Sequence, residues 1–142
     1  MKVKIYRKDK SLELPKYETA GAAGFDLICR ETVEIKSGAI ALIPANIIVE
    51  VPSGYMLAIL PRSSTPKKGL MLANSLGVID NDYCGPEDEI KILVYNYTET
   101  SVEVKRGDRI AQGIFVKIEC AEFCESQSQP SAKTRSGFGS TG

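Results

Sequence analysis

The stretch Ala39–Pro61, AIALIPANIIVEVPSGYMLAILP, decides the architecture. Ala39–Ile43 and Ile47–Val51 are short apolar runs, and Pro52-Ser53-Gly54 turns the chain. Tyr55–Leu60 then runs on as an apolar segment that stops at Pro61. Short runs rich in β-branched and aromatic residues, bounded by Pro, Gly and Ser, read as strands. Outward from this stretch the same pattern recurs. Val33–Lys36 alternates and turns at Ser37-Gly38, while Glu89–Tyr95, Val102–Lys105 and Ile110–Ile118 complete the set. The spacing predicts an all-β sandwich or barrel. Only Thr65–Leu72 suits a helix, and Pro66 limits it to about two turns. No internal repeat is apparent.

Composition narrows the chemistry. The chain has 142 residues, with 18 Lys and Arg against 18 Asp and Glu, four cysteines and no histidine or tryptophan. A chain this long fits one domain and buries roughly two-thirds of its unfolded surface, so it needs no disulfide or metal staple. The missing histidine excludes Ser-His-Asp and Cys-His nucleophilic arrangements and His-bound zinc. Zero formal charge leaves no global field for nucleic acid or an anionic membrane. Chemistry must therefore rest on carboxylates, Arg and Lys, hydroxyls, or a metal carried in with a ligand. Met1–Pro15 holds no long apolar run, so neither a signal peptide nor a membrane span is expected. Cys29, Cys84, Cys120 and Cys124 are scattered and read as reduced thiols of a cytoplasmic protein. From Glu125 the sequence turns to Ser, Gln, Pro and Gly, which predicts a core over 1–124 and a flexible arm over 125–142. Fully extended, that arm spans about 55–60 Å and could cross onto a neighbouring subunit.

Five segments could carry chemistry. In Gly77–Gly85, Asp80 and Asp82 would share one face of an extended segment, able to hold a metal or divide acid and base roles. The same Asp80-Asn81-Asp82 is also favoured turn chemistry. Tyr83 beside it offers an aromatic plane for a sugar or base. Pro61-Arg62-Ser63-Ser64 ends an apolar strand, and the guanidinium fork with two hydroxyls suits phosphate oxygens, unless it is simply a solvated strand end. Gly107–Gln112 sets a turn before a strand. Alone it reads as a hydrogen-bonded Gln112 and a surface Asp108/Arg109 pair. Arg135–Gly142 joins glycines, hydroxyls, Arg135 and Phe138, as a lid over a phosphorylated aromatic ligand or a plain disordered end. Ala20–Leu27 is a small-residue segment delivering Asp26 next to a strand.

In this order and spacing, Ala23–Leu27, Pro61–Ser64, Asn74–Gly85, Gly107–Gln112 and Arg135–Gly142 resemble the five motifs of the homotrimeric dUTP pyrophosphatases (dUTPases). The resemblance covers essentially the whole chain. It implies a distorted jelly roll that trimerises, with each site built from all three subunits. It also implies hydrolysis of dUTP to dUMP and diphosphate, which limits uracil incorporation into DNA and supplies dUMP for dTMP synthesis. Asp80 would deprotonate the attacking water and contact the sugar 3′-OH, and Tyr83 would pack under the deoxyribose. Asn74, the backbone of Gly77, Val78 and Ile79, and Lys91 would read the uracil edge. Arg62, Ser63, Ser64 and Gln112 would bind phosphates. Asp26 would hold Mg²⁺ through water, the ion being chelated mainly by the substrate. Phe138 would stack on uracil, while Arg135, Gly139, Ser140 and Thr141 close on the γ-phosphate.

Arg135 and Phe138 stand closer than is usual in the family, and the segment from Gly85 to Asn96 is longer. Two other readings share the residues: a dCTP deaminase of the same fold, and a trimeric binding module without turnover. Deamination calls for a glutamate facing the base, and Asn74–Tyr83 contains none.

Overall fold

In the computed structural model, which describes residues 1–134, the chain folds into eleven short strands. They are β1 (Lys4–Arg7), β2 (Phe25–Leu27), β3 (Val33–Ile35), β4 (Ile40–Pro44), β5 (Ile47–Glu50), β6 (Tyr55–Pro61), β7 (Leu70–Leu72), β8 (Gly77–Ile79), β9 (Lys91–Asn96), β10 (Val102–Val104) and β11 (Ala111–Lys117). Every pairing is antiparallel. The main sheet runs β2-β11-β6-β8, a second runs β4-β9-β7, and β1-β5 and β10-β3 form two ribbons. Together they wrap one apolar core in a distorted jelly roll. Leu27, Leu57, Leu70, Ile92, Val94 and Ile110 are each fully buried within it. Each such side chain contributes ~1.5–3 kcal/mol by leaving water.

The stretch Ala39–Pro61 forms β4, β5 and β6 as its pattern predicts. β6 is central because it is apolar on both faces: it pairs with β11 over its whole length and with β8 on its other edge. The expected helix is corrected. Only Thr65–Lys68 coils, as one 3-10 turn, and Gly69 then adopts φ 76 and donates its N–H to the Pro66 carbonyl at 2.9 Å. Leu70 and Leu72 are drawn into β7 because they pair with Asn96 and Val94 of β9 and bury both side chains. Past Lys117 no described residue belongs to a strand or helix, and residues 119–134 are exposed.

Candidate active site

One group of predicted residues gathers where β2, β11 and β6 meet. Asp26 stands opposite Gln112 on β11, and Gln112 stands opposite Leu60 on β6. Arg62, just past β6, sets its Nε 2.8 Å from Asp26 Oδ1. Its Nη1 donates to the Arg109 carbonyl at 3.0 Å. Buried Thr65 fixes the backbone here: its Oγ1 accepts from Arg62 N–H at 3.1 Å and donates to the Ile110 carbonyl. Gln112 Nε2 donates to the Pro61 carbonyl at 3.0 Å. Ser63 and Ser64 stand exposed on the turn that follows.

The Asp26 side chain is only 12% exposed, yet Oδ2 has no hydrogen-bond partner among the described residues. Arg109 Nη1 lies 3.6 Å from that oxygen and is held by Glu18 Oε1 at 2.7 Å. A buried carboxylate oxygen left without a hydrogen bond marks a place where a donor from a ligand or its water shell is missing. Gly24 belongs to this arrangement, since a Cβ there would stand 2.9 Å from Gln112 Oε1.

The expected Asp108/Arg109 pair does not form. Asp108 instead accepts from Lys68 at 3.0 Å, and Arg109 turns toward Glu18 and Asp26. Arg109 is therefore a site neighbour that sequence reasoning missed. Its partner Glu18 lies far away in the chain, beyond any local signal.

A second group lies along the turn from β7 into β8. Ser75 takes φ 61, and Leu76 N–H donates to the Asn74 carbonyl at 2.6 Å. The turn closes against β6: a Cβ on Gly77 would meet Ile59 Cβ at 3.0 Å and the Asn74 amide nitrogen at 3.6 Å. Asn74 and the Gly77 backbone are thus brought side by side at the start of β8. Lys91 opens β9 as an exposed residue opposite Pro44. It lies two residues before Leu93, whose carbonyl accepts from Ala73 N–H at 3.0 Å, near the turn around Ser75.

After Ile79 the chain turns instead of extending. Tyr83 N–H donates to the Asp80 carbonyl at 3.3 Å, so Asp80 and Asp82 stand on a turn and not on one strand face. Both carboxylates are exposed and without an ion pair among the described residues. Tyr83 is 37% exposed, and its hydroxyl reaches the Glu89 carbonyl at 3.5 Å.

The two groups do not meet within one chain. Ile79 stands opposite Leu57, so Asp80 is level with Met56, six residues along β6 from Arg62. At strand spacing this is about 20 Å. Arg135, Phe138, Gly139, Ser140 and Thr141 lie outside the described residues.

Three titratable groups stand out. The Asp9 carboxyl is held well below the usual carboxylate range, first by a hydrogen bond from Arg106 and then by those from Ser11. Arg30 is held more firmly charged by its hydrogen bonds to Glu89. Burial pushes the Cys29 thiol up to about 12, with the Asp108 charge adding to it. No disulfide forms among the described residues, and Cys84, Cys120 and Cys124 are exposed free thiols. No described helix is long and apolar enough to cross a membrane.

Known proteins are similar to this chain in sequence and fold. The dUTPase family model matches residues 10–142. The deoxyuridine 5′-triphosphate nucleotidohydrolase of Wolinella succinogenes is 40% identical over 144 residues, covering 100% of this chain and 95% of that protein. The crystal structure of dUTPase from Streptococcus mutans superposes with a TM-score of 0.77 at 38% identity, over 85% of this chain and 98% of that one. A mutant dUTPase of Staphylococcus bacteriophage 80alpha, with dUpNHpp, shares the fold at a TM-score of 0.87 and 23% identity, over 99% and 98% of the two chains. A core of this topology, the Asp26–Arg62–Gln112 cluster, the hairpin leading to Asp80 and these likenesses agree: the chain belongs to the dUTPase family.

Proposed function

We propose that this protein hydrolyses dUTP to dUMP and diphosphate, with Asp80 activating the attacking water at the α-phosphorus. The observation that carries the reading is the Asp26–Arg62 pair with its unpartnered carboxylate oxygen, beside Gln112 and two exposed serines. Arg62 offers a planar fork to phosphate oxygens while its Nε stays on Asp26. Ser63 and Ser64 add hydroxyl and turn N–H donors, and Gln112 orients from β11. At the hairpin, Asn74 and the backbone of Gly77–Ile79 bind the uracil edge, together with Lys91. Tyr83 packs under the deoxyribose and fills the space a 2′-OH would need. From the arm, Arg135, Phe138, Gly139, Ser140 and Thr141 close the site. General-base assistance of this kind contributes ~10²–10⁴-fold, and donor positioning supplies the rest.

The residues fit a hydrated Mg²⁺ that arrives with the triphosphate. Asp26 Oδ2 is free to accept from a metal-bound water. Two guanidinium groups nearby and the absence of a carboxylate cluster among the described residues disfavour a resident bare ion. When bound, Mg²⁺ would neutralise charge on the phosphate oxygens.

The working unit in this reading is a homotrimer. In-line attack needs the water within ~3.5 Å of phosphorus. Asp80 and Arg62 of one chain stand too far apart to serve one triphosphate, so a neighbour supplies the phosphate clamp. Free thiols fit a reducing compartment, and we place the protein in the cytoplasm. Pyrophosphate release from dUTP, dCTP, dTTP and UTP, with and without Mg²⁺, tests the reading. Release from dUTP alone, dependent on Mg²⁺, supports it. Ammonia release from dCTP overturns it.

A further inference from the structure

The loop that carries Asp80 and Tyr83 leaves β8 at Ile79 and returns to β9 through Glu89 and Ile90. Its two ends are held very differently. At the outgoing end Ile79 makes ladder contact with Leu57, and the Asp80–Tyr83 turn then stands in solvent. At the returning end Glu89 is only 4% exposed, a burial a carboxylate tolerates only when it is fully partnered. Arg30 supplies the partner as a fork: Nε donates to Oε1 at 2.8 Å and Nη2 to Oε2 at 2.9 Å. Asn46 N–H donates to Oε1 at 2.8 Å.

Asn46 is itself at φ 66, in the left-handed region, and its side chain clasps Asp9 N–H at 2.7 Å and the Asp9 carbonyl at 3.0 Å. Ile90 is bracketed in turn, donating to the Ile47 carbonyl at 2.9 Å and accepting from Ala45 N–H at 2.8 Å. Tyr83 reaches this anchored point through its contact with the Glu89 carbonyl. Arg30 also stands four residues past Asp26, its N–H held by the Pro44 carbonyl at 2.8 Å.

We propose that Glu89, gripped by Arg30 and Asn46, is the positioning residue that sets where Tyr83 and Asp80 stand, and so governs both turnover and the rejection of a 2′-hydroxyl. The inference rests on the dUTPase reading of Asp80 and Tyr83. Glu89 touches no substrate. It fixes the return of a long loop whose tip is also held by two turns, Asp80–Tyr83 and Gly85–Asp88, the latter with Gly85 N–H donating to Asp88 Oδ2 at 2.7 Å, and by Lys8, whose Nζ donates to the Pro86 carbonyl at 2.8 Å. When Glu89 slackens, Tyr83 loses its fixed distance from the sugar and Asp80 its aim at the water. A misplacement of about 1 Å costs up to ~10²-fold in rate.

The test uses the full chain carrying Glu89→Gln or Arg30→Lys. Arg30→Lys keeps a cation opposite Glu89 but removes the fork, so it serves if Glu89→Gln fails to fold. Pyrophosphate release is measured with Mg-dUTP and Mg-UTP, and amide hydrogen exchange is followed over 80–88 and over β6 and β11. The expected result is a ~10- to 100-fold fall in kcat for dUTP and a smaller preference for dUTP over UTP, with Asp88→Asn as the milder companion. Exchange rises in 80–88 while β6 and β11 stay protected. A folded variant that keeps the parent's dUTP-to-UTP preference overturns the proposal. So does a loss of activity accompanied by equal loosening of β6 and β11. If the unaltered protein releases no pyrophosphate from dUTP, the dUTPase reading fails instead, and exchange in 80–88 still decides whether Glu89 anchors the loop.

Discussion

The two halves of the proposed site are built on opposite plans. At the phosphate half, Asp26 is buried, Arg62 is gripped at both its side chain and its backbone, and Gln112 is fixed to Pro61. At the base half, Asp80 stands exposed on a turn, and its loop is most deeply anchored where it returns at buried Glu89. A triphosphate carries concentrated charge, so its cradle gains from donors already fixed in place at no cost during the reaction. A base and a sugar would be read by shape, which in the proposed trimer an exposed hairpin can provide.

The largest effect is expected at the exposed half. Asp80→Asn should lower kcat by at least ~10²-fold while dUTP binding stays mostly intact, because in the proposed mechanism the carboxylate's main task is to activate the water. Near-normal turnover in that variant would remove Asp80 from the chemistry.

The comparison sharpens when the two halves are broken in different chains. Arg62→Ala should also abolish turnover, and it leaves Asp26 with Arg109, 3.6 Å from Oδ2, as its remaining cation. Co-refolding Arg62→Ala chains with Asp80→Asn chains should restore a fraction of activity, since some sites then receive an intact half from each. No recovery in a mixed, assembled sample would mean both halves belong to one chain.

A smaller effect is expected from Gly77→Ala. The new methyl would meet Ile59 Cβ at 3.0 Å and crowd Asn74, so KM for dUTP should rise by ~10-fold with kcat less affected. An unchanged KM would mean the hairpin is not where the base sits.

The pH dependence of stability gives a subtler signal. The Asp9 carboxyl titrates lower folded than unfolded, so its pairing with Arg106 stabilises above the ordinary carboxylate value near ~3.9 and is lost as pH falls through the lower folded value. Asp9→Asn should therefore lower Tm at neutral pH, with the difference from the parent shrinking only in strong acid. A gap that is constant down to the lowest pH reached would refute the linkage.

The smallest effect concerns the thiols. At pH 8 a maleimide should label Cys84, Cys120 and Cys124 and spare Cys29, which is buried with its thiol pushed up to about 12. Prompt labelling of all four would show that the β2 end opens readily.

Much of this was legible in the sequence, because a strand buried on both faces must be continuously apolar. Tyr55–Leu60 reads as an apolar strand, and it pairs on both edges. Residues that serve as strand and site together were harder to read. Phe25–Leu27 and Gly77–Ile79 pair for only three residues each, and their Gly and Asp neighbours look like loop chemistry. Thr65–Leu72 looked helical because the partner that extends Leu70–Leu72 is β9, well beyond any local window. The Arg109–Glu18 and Arg30–Glu89 pairs escaped for the same reason: ion pairs joining distant segments leave no periodic trace.

In the proposed reading, the six strand steps from the level of Asp80 to Arg62 would also tie catalysis to mass action. If no single chain holds a whole site, velocity per chain is a property of how crowded the solution is. Dilution below the assembly constant would then extinguish turnover while every chain stays folded, and in the proposed trimer the extinction would follow a steep power of concentration.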